Sequence, residues 1–116
     1  WKYDIVAAEN WQVTRYTKDG FYSWHTDSLG SHKDVNTDPD NKLLFGNTRK
    51  LSMSILLNDD YEGGNFELRG MGEEEECVEG EGSIVVFPSF SWHQVTPVTR
   101  GTRYSLVAWF VGPPFV

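Results

Sequence analysis

Short stretches in which apolar and polar side chains alternate, broken by glycine, asparagine and aspartate, recur along most of this chain. Alternation with a period of two is the pattern of a half-buried β-strand, and no segment keeps the 3.6-residue apolar period of a helix for long. Strands are predicted near Gln12 to Tyr16, Phe21 to Asp27, Arg49 to Asn58, Gly64 to Arg69, Glu75 to Val78, Ser83 to Phe87, His93 to Val95 and Thr102 to Val111. Only residues 1 to 10 leave room for a short helix. About eight strands with uneven connections suit a two-sheet jelly roll better than a meander, so the expected fold is all-β.

The turns carry signals of their own. Lys18-Asp19-Gly20 and Glu62-Gly63-Gly64-Asn65 place glycines where a positive φ is wanted, and both read as tight reversals. Ser28 to Gly46 differs: it is long, polar and rich in Asp, Asn, Ser and Gly, and it starts one residue after Asp27. Loops of that length in a compact domain commonly serve function, and a flap over a site is expected there. The acidic run Glu73 to Glu76 reads as a solvated hairpin whose charges keep an edge strand from pairing with other chains.

Composition narrows the class. A chain of 116 residues suits one domain, residues 1–116, with a single core. Five Trp, seven Phe and 39% hydrophobic residues favour a folded β-protein over a disordered one. Ten Lys and Arg against seventeen Asp and Glu give a net charge of −7, which disfavours nucleic acid as a partner. Cys77 is the only cysteine, so no internal disulfide forms and a reducing compartment is permitted. No apolar run approaches the roughly 18 residues of a membrane span, and no basic-then-apolar leader is visible. A soluble, cytoplasmic location with no membrane partner is the expectation. Because the chain opens at Trp1 and enters strand-like sequence within about ten residues, it reads as a trimmed core. Oligomeric state is left open.

The candidate chemistry lies in two histidines, one carboxylate and one arginine. Side chains two apart on a strand share a face, so His25 and Asp27 form a clip while Thr26 points away. His93 lies on a later strand that a jelly roll can bring alongside through its opposite sheet. Two histidines and one carboxylate on one face of an octahedral metal leave three positions open, which is what a non-haem Fe(II) oxygenase needs. Zinc hydrolysis fits less well, since zinc prefers a tetrahedral site with one water position. On the last strand Arg103, Ser105, Val107 and Trp109 share a face, with Tyr104, Leu106, Ala108 and Phe110 on the other. An inward arginine needs a buried anion, and the carboxylate of a bound ligand would meet that need.

The segments Tyr16-Thr17-Lys18-Asp19-Gly20-Phe21-Tyr22-Ser23-Trp24-His25-Thr26-Asp27, Arg49 to Asn58 running into Tyr61-Glu62-Gly63-Gly64-Asn65-Phe66, and Gly82-Ser83-Ile84-Val85-Val86-Phe87-Pro88 with His93 and Arg103 resemble the Fe(II)/2-oxoglutarate-dependent dioxygenases. Within them the likeness is closest to the prolyl 4-hydroxylase group, and it runs from about residue 12 to residue 111. The resemblance implies a double-stranded β-helix, a jelly-roll variant, with N-terminal helices missing or minimal here. It implies iron held by His25, Asp27 and His93, and 2-oxoglutarate held through its distal carboxylate by Arg103, a bidentate contact lysine cannot reproduce. Tyr16 matches a tyrosine against the cosubstrate, Ser52 a hydroxyl reaching the same carboxylate, and Val95 an apolar residue of the cosubstrate pocket. Tyr22 and Trp109 match substrate-side residues. Strict alternation puts Tyr22 on the face opposite His25, so its role requires a bulge or twist in that strand.

The activity implied is hydroxylation of an unactivated C–H bond at the expense of dioxygen and 2-oxoglutarate, with succinate and carbon dioxide as coproducts and ascorbate as an auxiliary reductant. Asp27 argues against a halogenase, which needs that position vacant. A demethylase of alkylated bases commonly carries a second arginine where Trp109 stands. The implied substrate is a prolyl residue in a peptide or protein. Hydroxylation of a free amino acid or small metabolite is the alternative, and a non-catalytic jelly-roll binding module is the alternative of a different class.

Overall fold

The alternating stretches form eleven strands among the described residues of the computed structural model, and every pairing between these strands is antiparallel. The structure describes residues 3–29, 35–37, 39–40, 44–69, 74–76 and 80–115. In chain order the strands are β1 (Ala7–Ala8), β2 (Gln12–Tyr16), β3 (Tyr22–His25), β4 (Thr48–Leu56), β5 (Glu62–Gly63), β6 (Phe66–Arg69), β7 (Glu74–Glu76), β8 (Ile84–Pro88), β9 (His93–Val95), β10 (Val98–Arg100) and β11 (Arg103–Gly112). The major sheet runs β1-β11-β4-β8, with β2 also paired to β11; the minor sheet runs β3-β9-β6-β7, and β5 pairs with β10. This is a jelly roll, as the alternation predicts, and among the described residues no helix is long and apolar enough to cross a membrane.

Several sequence expectations are corrected. The space left for a helix in residues 1–10 is taken by β1, whose Ala7 and Ala8 pair with Val111 and Phe110 of the long last strand. The short strands β5 and β10 lack a run of alternating residues long enough to announce them. Asp27 lies just past the end of β3 rather than inside it. Nine of the nineteen residues of the Ser28 to Gly46 loop expected as a flap, together with the Gly70-Met71-Gly72 turn, Glu73, Cys77 and Val78, lie outside the described residues. In the Lys18-Asp19-Gly20 turn the left-handed residue is Asp19, at φ +70°, and not Gly20. Asp tolerates that conformation better than most side chains. Glycine is needed next to it for room, since a Cβ on Gly20 would lie 2.9 Å from the Thr17 carbonyl oxygen.

The inner faces of the two sheets meet around Phe66, Phe87 and Val95, with Tyr16, Leu68 and Val85 packed against them. Phe66 and Phe87 also lie against the His93 ring, with centroids 5.8 and 4.6 Å away, so one aromatic cluster serves as core and as floor of the cavity above it. The β5–β10 pair joins two segments far apart in the chain. There Gly63 has φ +72°, and a Cβ on it would come within 2.4 Å of the Pro97 carbonyl oxygen. Gly63→Ala is expected to destabilise the fold by about 2 kcal/mol or more, through strain and clash together. A chemical denaturation midpoint unchanged from the parent would refute this.

Candidate active site

All nine residues singled out in the sequence line one cavity of about 510 Å³ between the sheets: Tyr16, Tyr22, His25, Asp27, Ser52, His93, Val95, Arg103 and Trp109. His25 and His93 face each other directly on paired strands β3 and β9, with ring centroids 4.2 Å apart. They therefore share the minor sheet, where the sequence suggested that His93 would arrive through the opposite one. Between Tyr22↔Val95 and His25↔His93 the register shifts by one residue, a bulge in β3. That bulge turns Tyr22 onto the face of His25, and the two rings stack at 3.7 Å.

Both imidazoles are oriented by the backbone beside them. Nδ1 of His25 lies 2.7 Å from the Ser23 carbonyl oxygen and Nδ1 of His93 lies 2.9 Å from that of Ser91. A carbonyl only accepts, so each Nδ1 carries the proton and each Nε2 of the neutral ring presents a lone pair to the cavity. The two Nε2 atoms lie 3.6 and 3.4 Å from Oδ1 of Asp27. One ligand atom from each of the three residues lies within 4.8 Å of the other two, so the trio could hold a metal ion. Burial and the neighbouring His93 lower the pKa of His25, against opposing effects of Ser23 and Asp27, which favours the neutral, ligating form.

Asp27 is held by its other oxygen. Oδ2 accepts from Ser52 Oγ at 2.5 Å and from Trp109 Nε1 at 3.0 Å, leaving Oδ1 turned toward the imidazoles. Ser52 and Trp109 are a directly opposed pair on β4 and β11, so a single cross-strand pair supplies both donors. The Ser52 hydroxyl that donates to Asp27 also lies within 2.9 Å of Ser89 Oγ. Trp109, expected on the substrate side, likewise spends its N–H on Asp27. Burial would raise the Asp27 pKa, but His93, which in its charged form donates from Nε2 to Asp27, and the hydrogen bonds from Ser52 and Trp109 outweigh it and bring the value down to about 2.

The sign of the consequence is fixed. A carboxylate whose folded pKa lies below its ordinary 3.8 contributes stability above that value and loses it as the pH falls toward about 2. A His with a lowered pKa also opposes folding as acid protonates it. The metal-free chain is therefore expected to lose on the order of 2 kcal/mol from Asp27 between those pH values. In Asp27→Asn this acid limb should flatten, and urea titrations across that range that gave parallel curves for parent and variant would contradict the assignment.

The far side of the cavity carries Arg103, 2% exposed, whose guanidinium donates to Ser105 Oγ at 3.3 Å. Arg103, Ser105, Val107 and Trp109 all line the cavity, as the alternation of the last strand predicts. Tyr16 pairs with Arg103 across β2 and β11. Its phenol pKa is raised by burial, against the lowering effect of Arg103, so the hydroxyl stays neutral. The donor set suits a ferrous ion with a dicarboxylate: two neutral imidazoles and one carboxylate at one end, a buried guanidinium at the other.

Sequence reasoning missed Arg49. Its guanidinium lies 3.9 Å over the Trp109 ring and is paired with Glu9 through Nε to Oε2 at 2.7 Å. Simple alternation places Arg49 opposite in face to Ser52, three residues on. A register shift between Phe110↔Leu51 and Val111↔Arg49 inserts Lys50 as an extra residue and reverses that parity. Only the pairing partner reveals such a shift.

Comparison with known proteins agrees with this geometry. Residues 11–111 match the model of the 2OG-Fe(II) oxygenase superfamily. A PKHD-type hydroxylase of Acidovorax ebreus (strain TPSY) is 34% identical over 105 residues, covering 84% of this chain and 41% of that protein. The chain thus spans about two fifths of the length of the first curated relatives it matches, and a third of one of them. The crystal structure of a Pseudomonas putida prolyl-4-hydroxylase is similar at a TM-score of 0.69 and 26% identity, covering 96% of this chain and 56% of that one. A prolyl hydroxylase from Trichoplax adhaerens, in complex with a hypoxia inducible factor peptide fragment, shares the fold at a TM-score of 0.71 and 20% identity, over 93% of this chain and 46% of its own.

Proposed function

The chain belongs to the 2OG-Fe(II) oxygenase superfamily, and on that premise we propose that it hydroxylates a prolyl residue of a peptide or protein. The observation that carries the reading is the union, in one cavity, of the His25, Asp27 and His93 ligand atoms with the buried Arg103. Residues 1–116 then work as one oxygenase domain. Likeness to a prolyl-4-hydroxylase and to a PKHD-type hydroxylase supports the hydroxylase outcome and the prolyl substrate class.

Each residue has a stated part. His25, Asp27 and His93 would hold Fe(II); Arg103 would pair with the distal carboxylate of 2-oxoglutarate, with the Tyr16 hydroxyl beside it. When bound, the ion and cosubstrate supply oxidative decarboxylation to succinate and carbon dioxide, coupled to oxygen insertion into a C–H bond. The Ser23 and Ser91 carbonyls fix the imidazole tautomers, while Ser52 and Trp109 keep Asp27 to one oxygen. Phe66, Phe87 and Val95 form the apolar floor that excludes water from the reacting centre. Tyr22, half exposed beside His25, is placed to meet the substrate from the open side.

The test is succinate production from 2-oxoglutarate with Fe(II), dioxygen and ascorbate, in the presence of proline-containing peptides or free proline. A mass gain of one oxygen atom on a peptide is expected. Oxygen gain confined to free amino acids would overturn the protein-substrate proposal, and no succinate with any substrate would overturn the oxygenase role.

A further inference from the structure

We propose that Glu9 and Arg49 are positioning residues that set the orientation of Asp27 through the indole of Trp109; this rests on the reading of Asp27 as a metal ligand. The chain of contacts is continuous. Glu9 accepts from Arg49 at both oxygens, Nε to Oε2 at 2.7 Å and Nη2 to Oε1 at 3.2 Å. Held flat by that fork, the guanidinium covers the Trp109 ring at 3.9 Å, and the indole Nε1 reaches Asp27 Oδ2 at 3.0 Å. Glu9 is tied to the same tryptophan a second time, since its backbone N–H donates to the Trp109 carbonyl at 2.9 Å.

The physical need is specific. A carboxylate can bind a metal through one oxygen or both, and the choice changes how many positions remain for dioxygen and cosubstrate. Two donors on Oδ2 favour the one-oxygen mode, but an indole that rocks about its side-chain torsions delivers its N–H only part of the time. A planar cation stacked on one face, pinned by a bidentate carboxylate, removes that freedom. The bulge at Lys50 brings Arg49 to this face at all. Glu9 and Arg49 touch neither the imidazoles nor Arg103 in any contact described, so their effect should pass through Trp109.

The test uses Mn(II) as an inert probe of the site in the whole chain, with affinity read by calorimetry and the ligand field by electron paramagnetic resonance. Loss of a partner that orients a ligand commonly weakens metal binding by about 10–100-fold. Trp109→Phe is expected near the low end of that range, with Glu9→Gln and Arg49→Met weaker by several-fold each and a changed resonance line shape. Arg49→Lys keeps the charge without the planar stack and should not restore affinity. Glu9→Gln combined with Trp109→Phe should bind no worse than Trp109→Phe alone, because the two act along one path. Wild-type affinity and line shape in both Glu9→Gln and Arg49→Met, with only the melting temperature lowered, would reduce the pair to a structural brace and overturn the proposal. Additive losses in the double variant would overturn it too. His93→Ala separates the two levels: if it also kept Mn(II), the metal reading itself would fall and take this inference with it.

Discussion

Replacing His93 by alanine is expected to abolish Fe(II)-dependent conversion of 2-oxoglutarate to succinate and to weaken metal binding by more than about 100-fold, the upper end of what an outer partner costs. The reason is geometric as well as chemical. His93 is 5% exposed, and its ring is packed against Phe66, Phe87 and His25, so no other described side chain can move into its place. Its removal also takes away one of the groups that holds Asp27 ionised. Metal affinity by calorimetry and succinate by chromatography check the two halves separately. A variant that retained both would require a different third ligand, and the cavity offers none among the described residues.

Arg103→Lys is the second large effect. Truncating one member of a buried, hydrogen-bonded charge pair costs about 2–5 kcal/mol, and lysine offers a point charge where a carboxylate wants a fork. The expected result is a KM for 2-oxoglutarate raised by at least about thirtyfold, which is what 2 kcal/mol amounts to, with Mn(II) affinity in the absence of cosubstrate close to the parent. Steady-state kinetics with varied 2-oxoglutarate measures it. Equal loss of metal binding would show instead that Arg103 supports the fold, and an unchanged KM would remove it from the cosubstrate site.

The legibility of this chain varies from residue to residue for identifiable reasons. β2 and β9 occur where the alternation puts them, and the Arg103 to Trp109 face lines the cavity as its period of two requires. Tyr22 shows the limit of the same rule: strict alternation sends it away from His25, and a bulge brings it back. The Arg49 position fails for the same cause, an extra residue at Lys50 that local sequence does not announce. Ser52 was legible as a site residue but not in its bond, because the distance from its hydroxyl to Asp27 depends on how the two sheets lie over each other.

By itself, the sequence determined the class of fold and the inventory of the site. Period-two alternation dictates strands, and two histidines, an aspartate and an inward arginine restrict the chemistry to what those groups can bind. The tertiary structure alone decided which oxygen of Asp27 is turned toward the imidazoles, which face Tyr22 and Arg49 occupy, and that Trp109 donates to Asp27. Those outcomes turn on register shifts and sheet-to-sheet contacts between residues as far apart as Asp27 and Trp109. Side-chain identity is a local property of the chain, whereas strand register is settled only when the partner strand is in place.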